Sequence, residues 1–552
     1  MFPLILSLLV SLIDVNCATI DPVVSTRYGP IQGLNGFYNL TNFQYNYQAF
    51  LGIPFAEPPL GNKRFQLPEY FNSTWLKPYQ ATYFRDGCAQ KPSKDLNFNI
   101  SENCLYLNLW RPEFDDKESQ LLPVFYHIHG SGYTSSSGSM PDCRGEILAA
   151  TQKIIVVNSN YRLGAFGFAF GEHDEMPGNL GIYDTLMVLK WIHDNIRSFG
   201  GDPDRVTLTG LSAGSKMVSI ISSLANTRQL YSRLIMMSGS ATNQIHMDSH
   251  ETGTMKTKFL ARKVNCLSVG DELKSSIKLS METIDCLKKV STDDLVQAQS
   301  SKEINGIGAS EITAFLPVYG TKLIPNPPMV NHANHLEDNQ NVPMLFGSEQ
   351  DEASMFITEA SLATLSTIQD AYEFTKDRVS FAIKNLTTDQ FEAIFKLYFD
   401  EADPTDYLDI RSRCVKFCSD MNYKCPSLIL SEFLSQVNDD IFFYRNVYTG
   451  ENLSRPYGTK HGDDLLFGLG APYRHYDNYS PSDRQFSSIM LEIFGNFTKG
   501  IPLNDWTSIK LDKNDPNALQ LIKQFSLNPR NVIEHSQYFC SEWAELYNYS
   551  IP

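Results

Sequence analysis

Short apolar runs alternate along this chain with stretches whose apolar residues recur at helical spacing. VFYHIH (124–129), IIVVN (154–158), VTL (206–208), LIMM (234–237), VPMLF (342–346) and IFFY (441–444) are rich in β-branched and aromatic residues. Runs of that length and content read as strands buried on both faces. NLGIYDTLMVLKWIHDNIRSFGG (179–201) carries a helical pattern and stops at Gly200-Gly201, a helix-ending pair. Strands alternating with helices predict an α/β fold, a largely parallel central sheet flanked by helices. No internal repeat or low-complexity linker of the kind that separates independent domains divides the chain. In open sheets of this kind ligands bind beyond the carboxyl ends of the strands.

One motif falls at such an end. In VTLTGLSAG (206–214) a strand climbs into Gly210-Leu211-Ser212-Ala213-Gly214, and a helix-like segment follows. G-x-S-x-G is short enough to arise by chance, so its place between strand and helix carries the inference. A nucleophile elbow holds its serine in a strained conformation while strand and helix cross closely, which requires small neighbours. Gly210, Ala213 and Gly214 supply them. The start of the following helix also favours negative charge beside Ser212.

Composition narrows the setting. With 42% hydrophobic and 20% charged residues the chain is ordinary for a globular protein. Its net charge of −16, with no basic run, argues against a nucleic-acid partner. The apolar stretch Phe2–Ile13 is too short to span a bilayer. With the small residues after it, it reads as a signal peptide over residues 1–17, cleaved after Cys17 and lacking the usual preceding positive charge. No later stretch is long and apolar enough for a membrane span, so the expected destination is extracellular.

Ten cysteines, Cys17 among them, lack paired C-x-x-C spacing, which favours disulfides over a metal. Nine remain after cleavage, so at least one thiol is free or pairs between chains. Sequons at Asn39, Asn72, Asn99, Asn385, Asn452, Asn496 and Asn548 are candidate glycosylation sites. An eighth, at Asn478, is weakened by Pro481 behind Ser480.

Several segments together resemble the type-B carboxylesterase and cholinesterase family. FGGDPDRVTLTGLSAG (199–214) is similar to its nucleophile segment. In family order, AFLGIPFAEPPLGNKRFQLPE (49–69), SENCLYLNLWRP (101–112), NYRLGAFGF (160–168), GNLGIYD (178–184) and KHGDDLLFGLG (460–470) also match. The resemblance runs from about Thr26 to about Trp543 and implies a single α/β-hydrolase domain acting on small-molecule esters, without cofactor or metal.

A serine hydroxyl needs an imidazole to take its proton and a carboxylate to fix that imidazole. The resemblance puts His461, in KHGDD, at the histidine position. It puts Glu352, in FGSEQDEASMF (346–356), at the acid position, with Glu349 and Asp351 read as solvated loop charges. The order Ser212, Glu352, His461 is that of α/β-hydrolases. HIHGSGYTSSSG (127–138) resembles the family's H-G-G-G-F loop, so the N–H groups of Ser131, Gly132 and Ala213 are the expected oxyanion hole. The resemblance further implies the bridges Cys88–Cys104, Cys266–Cys286 and Cys425–Cys540, the structural pairs Arg64–Glu102 and Arg162–Asp184, and Phe315 in the acyl pocket. Cys143, Cys414 and Cys418 receive no partner.

The chain departs from the family at Ser131, a glycine there; at Leu211, usually Glu; at Lys216, generally small; and at Ala353, a glycine. The first disulfide loop, AQKPSKDLNFNISEN (89–103), lacks the Trp that a choline-binding surface would use. The reading is therefore a secreted serine carboxylesterase forming an acyl-enzyme on Ser212. A catalytically silent adhesion protein on the same fold and a cholinesterase are the alternatives.

Overall fold

A computed structural model describes residues 21–40, 43–93, 98–113, 120–242, 246–273, 278–305, 314–357, 363–383, 386–451, 458–510, 520–534 and 536–547. The expected signal peptide and the sequons at Asn385, Asn452 and Asn548 lie outside these residues.

The apolar runs become the middle of an eleven-stranded sheet. Its strands are β1 (Leu34–Leu40), β2 (Phe43–Pro54), β3 (Tyr106–Pro112), β4 (Leu122–Ile128), β5 (Ile155–Ser159), β6 (Gly201–Leu211), β7 (Arg233–Met237), β8 (Met344–Glu349), β9 (Ile441–Asn446), β10 (Gln520–Phe525) and β11 (Arg530–Glu534). Across the sheet the order is β11-β10-β9-β8-β7-β6-β4-β5-β3-β2-β1. Pairing is parallel from β10 across to β5 and antiparallel at both flanks. This is the α/β-hydrolase arrangement that the sequence predicts.

Alternate residues of the central strands enter different cores, which is why these runs are continuously apolar. Val124, Tyr126, Ile128, Leu234 and Met236 pack on one face. Phe125, Ile235, Met237 and Leu345 pack on the other. Helix α1 (Leu180–Asn195) follows the predicted pattern, and the chain then turns at Gly200 with φ +83°. Buried Arg162 grips Asp184 of α1 with two hydrogen bonds of 2.7 and 2.8 Å. Arg64 pairs with Glu102 in the same forked manner, so both predicted pairs are structural.

Helices α2 (Ala213–Ser222) and α3 (Tyr407–Ser419) contribute to the cavity beside the sheet, and α4 (Cys425–Leu434) and α5 (Pro481–Lys499) follow along the chain. Between α3 and α4 the chain passes through a π turn, Asp420–Lys424, a distortion common beside functional sites. Disulfides join Cys88 to Cys104, Cys266 to Cys286 and Cys425 to Cys540, while Cys143, Cys414 and Cys418 are free and buried. No helix among the described residues is long and apolar enough to cross a membrane.

Asn39, Asn72, Asn99 and Asn478 are exposed. Asn496 departs from the expectation of an open sequon. It is half-buried within α5, and its Thr498 is buried with the hydroxyl donating to Phe494 O at 2.7 Å.

Candidate active site

Strand β6 ends at Leu211, and α2 begins at Ala213. Ser212 alone makes the turn between them, with φ +58° and ψ −119°, a region that side-chain-bearing residues rarely occupy. Its backbone is pinned on both sides. Ser212 N–H donates to Met237 O on β7, and Ser212 O accepts from Lys216 N, both at 2.9 Å. A Cβ at Gly210 would lie 2.3 Å from Gly214 C, and one at Gly214 would lie 2.1 Å from Ile128 O. The two glycines are thus required by the approach of α2 to β6 and β4.

His461 reaches the same place from the segment after β9. Its Nδ1 lies 2.6 Å from Glu352 Oε2. A carboxylate accepts, so Nδ1 carries the hydrogen in this contact. The ring's Nε2 is buried and has no hydrogen-bond partner among the described residues. The ring is held by Tyr423 and Phe356, whose centroids are 4.5 and 5.1 Å away. Glu352 is fully buried in the turn after β8, where its Oε1 accepts from Glu349 N–H at 2.8 Å. Gly462 has φ +90°, and a Cβ there would touch Leu211 Cδ2 at 3.1 Å. The histidine segment therefore packs directly onto the elbow.

The loop after β4 closes over Ser212. A Cβ at Gly130 would lie 3.0 Å from Ser212 Cβ. Ser131, Gly132 and Tyr133 follow with φ of +75°, +60° and +64°. The N–H groups of Ser131, Gly132 and Ala213 make no hydrogen bond to another group among the described residues. Three donors are thereby free beside the nucleophile position. Gly130, Ser131, Gly132, Ser212 and His461 line one cavity of about 620 Å³, within the usual range for a small-molecule site.

Phe315 is fully buried in the core, and its neighbour Leu316 lines the cavity instead. Glu349 and Asp351 are not solvated loop charges. Glu349 ends β8, opposite Asn446 of β9, and is fully buried. It accepts from Asn446 Nδ2 at 2.9 Å and from Asp464 N–H at 2.7 Å. Burial, reinforced by Asp464 and Glu352, pushes its carboxyl well above the ordinary range, which disfavours a second charge beside Glu352. Asp464, which accepts from Tyr444 OH at 2.7 Å, is pushed up to about 6, chiefly by burial. Asp351 is half-buried and likewise pushed up to about 6 by burial.

The elbow, the imidazole–carboxylate pair and the three N–H donors thus meet in one cavity at the carboxyl ends of an α/β-hydrolase sheet. The chain matches the Carboxylesterase family over residues 20–538 and belongs to that family. Among its relatives, acetylcholinesterase-1 of Trittame loki is 29% identical, the match covering 93% of each chain. Cholinesterase of Mus musculus is 29% identical over 87% of this chain and 79% of its own. Acetylcholinesterase of Bungarus fasciatus is also 29% identical, over 86% of this chain and 78% of its own.

Proposed function

We propose that this protein is a secreted serine carboxylesterase that hydrolyses small carboxylic esters through an acyl-enzyme on Ser212. The observation that carries the reading is the meeting, in one cavity, of a strained Ser212 with an imidazole already fixed by Glu352 at 2.6 Å. His461 Nε2 takes the hydroxyl proton as Ser212 Oγ attacks the ester carbonyl, forming the tetrahedral oxyanion. The N–H groups of Ser131, Gly132 and Ala213 receive that charge. Collapse expels the alcohol, which takes the proton back from His461, and water repeats the sequence to release the acid. Glu352 is a positioning residue that keeps Nε2 as the basic nitrogen. The relatives' names suggest choline esters, but the cavity presents the cationic side chain of Lys216, which repels a quaternary ammonium. Neutral activated esters fit better.

Ser212→Ala and His461→Ala should each abolish most p-nitrophenyl ester turnover, and the double variant should be little worse than either. Losses that add in the double variant would show that His461 is not the base.

A further inference from the structure

Lys216 occupies the first turn of α2, where a lysine ordinarily reaches solvent. Here it is buried. Its stem lies over Gly239, where a Cβ would meet Lys216 Cγ and Cε at 3.4 Å and Ser212 O at 2.8 Å. The side chain lines the same cavity as Ser212 and His461. Among the described residues its ammonium has no ion pair and no hydrogen-bond acceptor. Its close partner is the face of Tyr423, 5.5 Å from Nζ to the ring centroid, a partial compensation at most. Glu352 is near enough to favour the charge, but its oxygens are committed to His461 and Glu349 N–H. His246, which shares the lining, accepts nothing from Lys216 and adds no negative charge.

An ammonium held at a cavity wall, largely removed from solvent and without an acceptor among the described residues, is costly to keep charged. Burial accordingly pushes Lys216 down to about 7. The cavity, whose lining also includes Asp142, Asp463, Arg378 and Lys460, therefore holds a lysine that pairs with none of them, one α-helical turn from the nucleophile.

We propose that the missing counter-charge is a carboxylate on the substrate, so that Lys216 selects esters bearing an anionic group, such as half-esters of dicarboxylic acids. This rests on the esterase reading for turnover, but not for binding. A carboxylate seated at Lys216 would gain a charge-assisted hydrogen bond and would favour the ammonium's charged form. An uncharged ester of the same shape gains neither.

Two substrates of equal shape test this: the mono-p-nitrophenyl ester of glutaric acid and its methyl-capped neutral counterpart. The expected ratio of kcat/KM, anionic over neutral, is about 10–100, the range for one hydrogen bond to a charged group. In Lys216→Met the ratio should fall below 1, and Lys216→Arg should recover part of it. Carrying the carboxylate on the alcohol side, in a p-carboxyphenyl ester, separates acyl-side from alcohol-side recognition. Binding of N-butylglutaramate, an amide of the same charge, is read by calorimetry and needs no turnover. Its affinity should drop about tenfold or more in Lys216→Met. Loss of fluorophosphonate labelling with that binding intact would defeat the esterase reading alone. Equal ratios for both substrates in the unaltered protein, together with unchanged N-butylglutaramate affinity in Lys216→Met, would overturn the proposal. Methionine matches the buried stem and removes the ion, so the variant is expected to fold, as its circular dichroism should show.

Discussion

Replacing Lys216 by methionine should stabilise the protein, and the gain should depend on pH in a defined direction. Burial lowers Lys216 from 10.5 to about 7 in the folded state. Between those values the unfolded chain binds the proton that the native state has lost, so native stability rises with pH as the lysine's penalty is relieved. At about 1.4 kcal/mol per pH unit of displacement, the penalty below pH 7 is on the order of 5 kcal/mol, falling to about 2 kcal/mol at pH 9. It disappears above the unfolded value. The titratable groups facing Lys216 are Glu352, which partly offsets the penalty, His246 and Tyr423. An unfolding entropy of about 2.1 cal/mol/K per residue makes each kcal/mol worth about 1 °C in a chain of this length. Scanning calorimetry of Lys216→Met against the unaltered protein should therefore show a Tm gain of about 4–5 °C at pH 6 and about 2 °C at pH 9. Comparing the two proteins at each pH cancels titrations they share. A gain that stays constant across this range, or a loss at pH 6, would mean the ammonium is already satisfied, and the argument from its burial would fail.

Ser131→Gly removes a left-handed strain worth about 1–2 kcal/mol and adds unfolded-chain entropy of about 0.5–1 kcal/mol. Urea unfolding should therefore show a net gain of about 0–1.5 kcal/mol; destabilisation would show that the serine side chain holds the loop. Gly214→Ala places a methyl 2.1 Å from Ile128 O. It should cost about 3 kcal/mol and lower the yield of soluble protein, whereas a normal yield and unchanged unfolding midpoint would show that α2 can move away from β4.

The order of elements and the elbow were legible because both rest on local pattern. Continuous apolar runs mark strands covered on both faces, and glycines flanking Ser212 mark a crossing that admits no side chain. The resemblance supplied His461 and Glu352, which lie 109 residues apart and meet only because β8 and β9 are neighbours. Glu349 was misread because its burial depends on its register opposite Asn446, a property of sheet order that its own segment does not show. Lys216 stood out only as a departure from a generally small position, since a first-turn lysine carries no local sign of being folded inward over Gly239. Phe315 and Leu316 differ by one residue, and which of them turns toward the cavity is decided by packing around the 314–318 segment. The sequon at Asn496 satisfied its triplet while α5, with its capping box from Ser480 to Asp483, drew that triplet into a helix.

The most direct test is labelling with a fluorophosphonate followed by peptide mapping. A serine activated by a fixed imidazole is phosphonylated at Ser212 alone, and His461→Ala abolishes the reaction while leaving the fold intact. Intact, folded protein that fails to label at Ser212, or a His461→Ala variant that labels as fast as the original, would contradict the account.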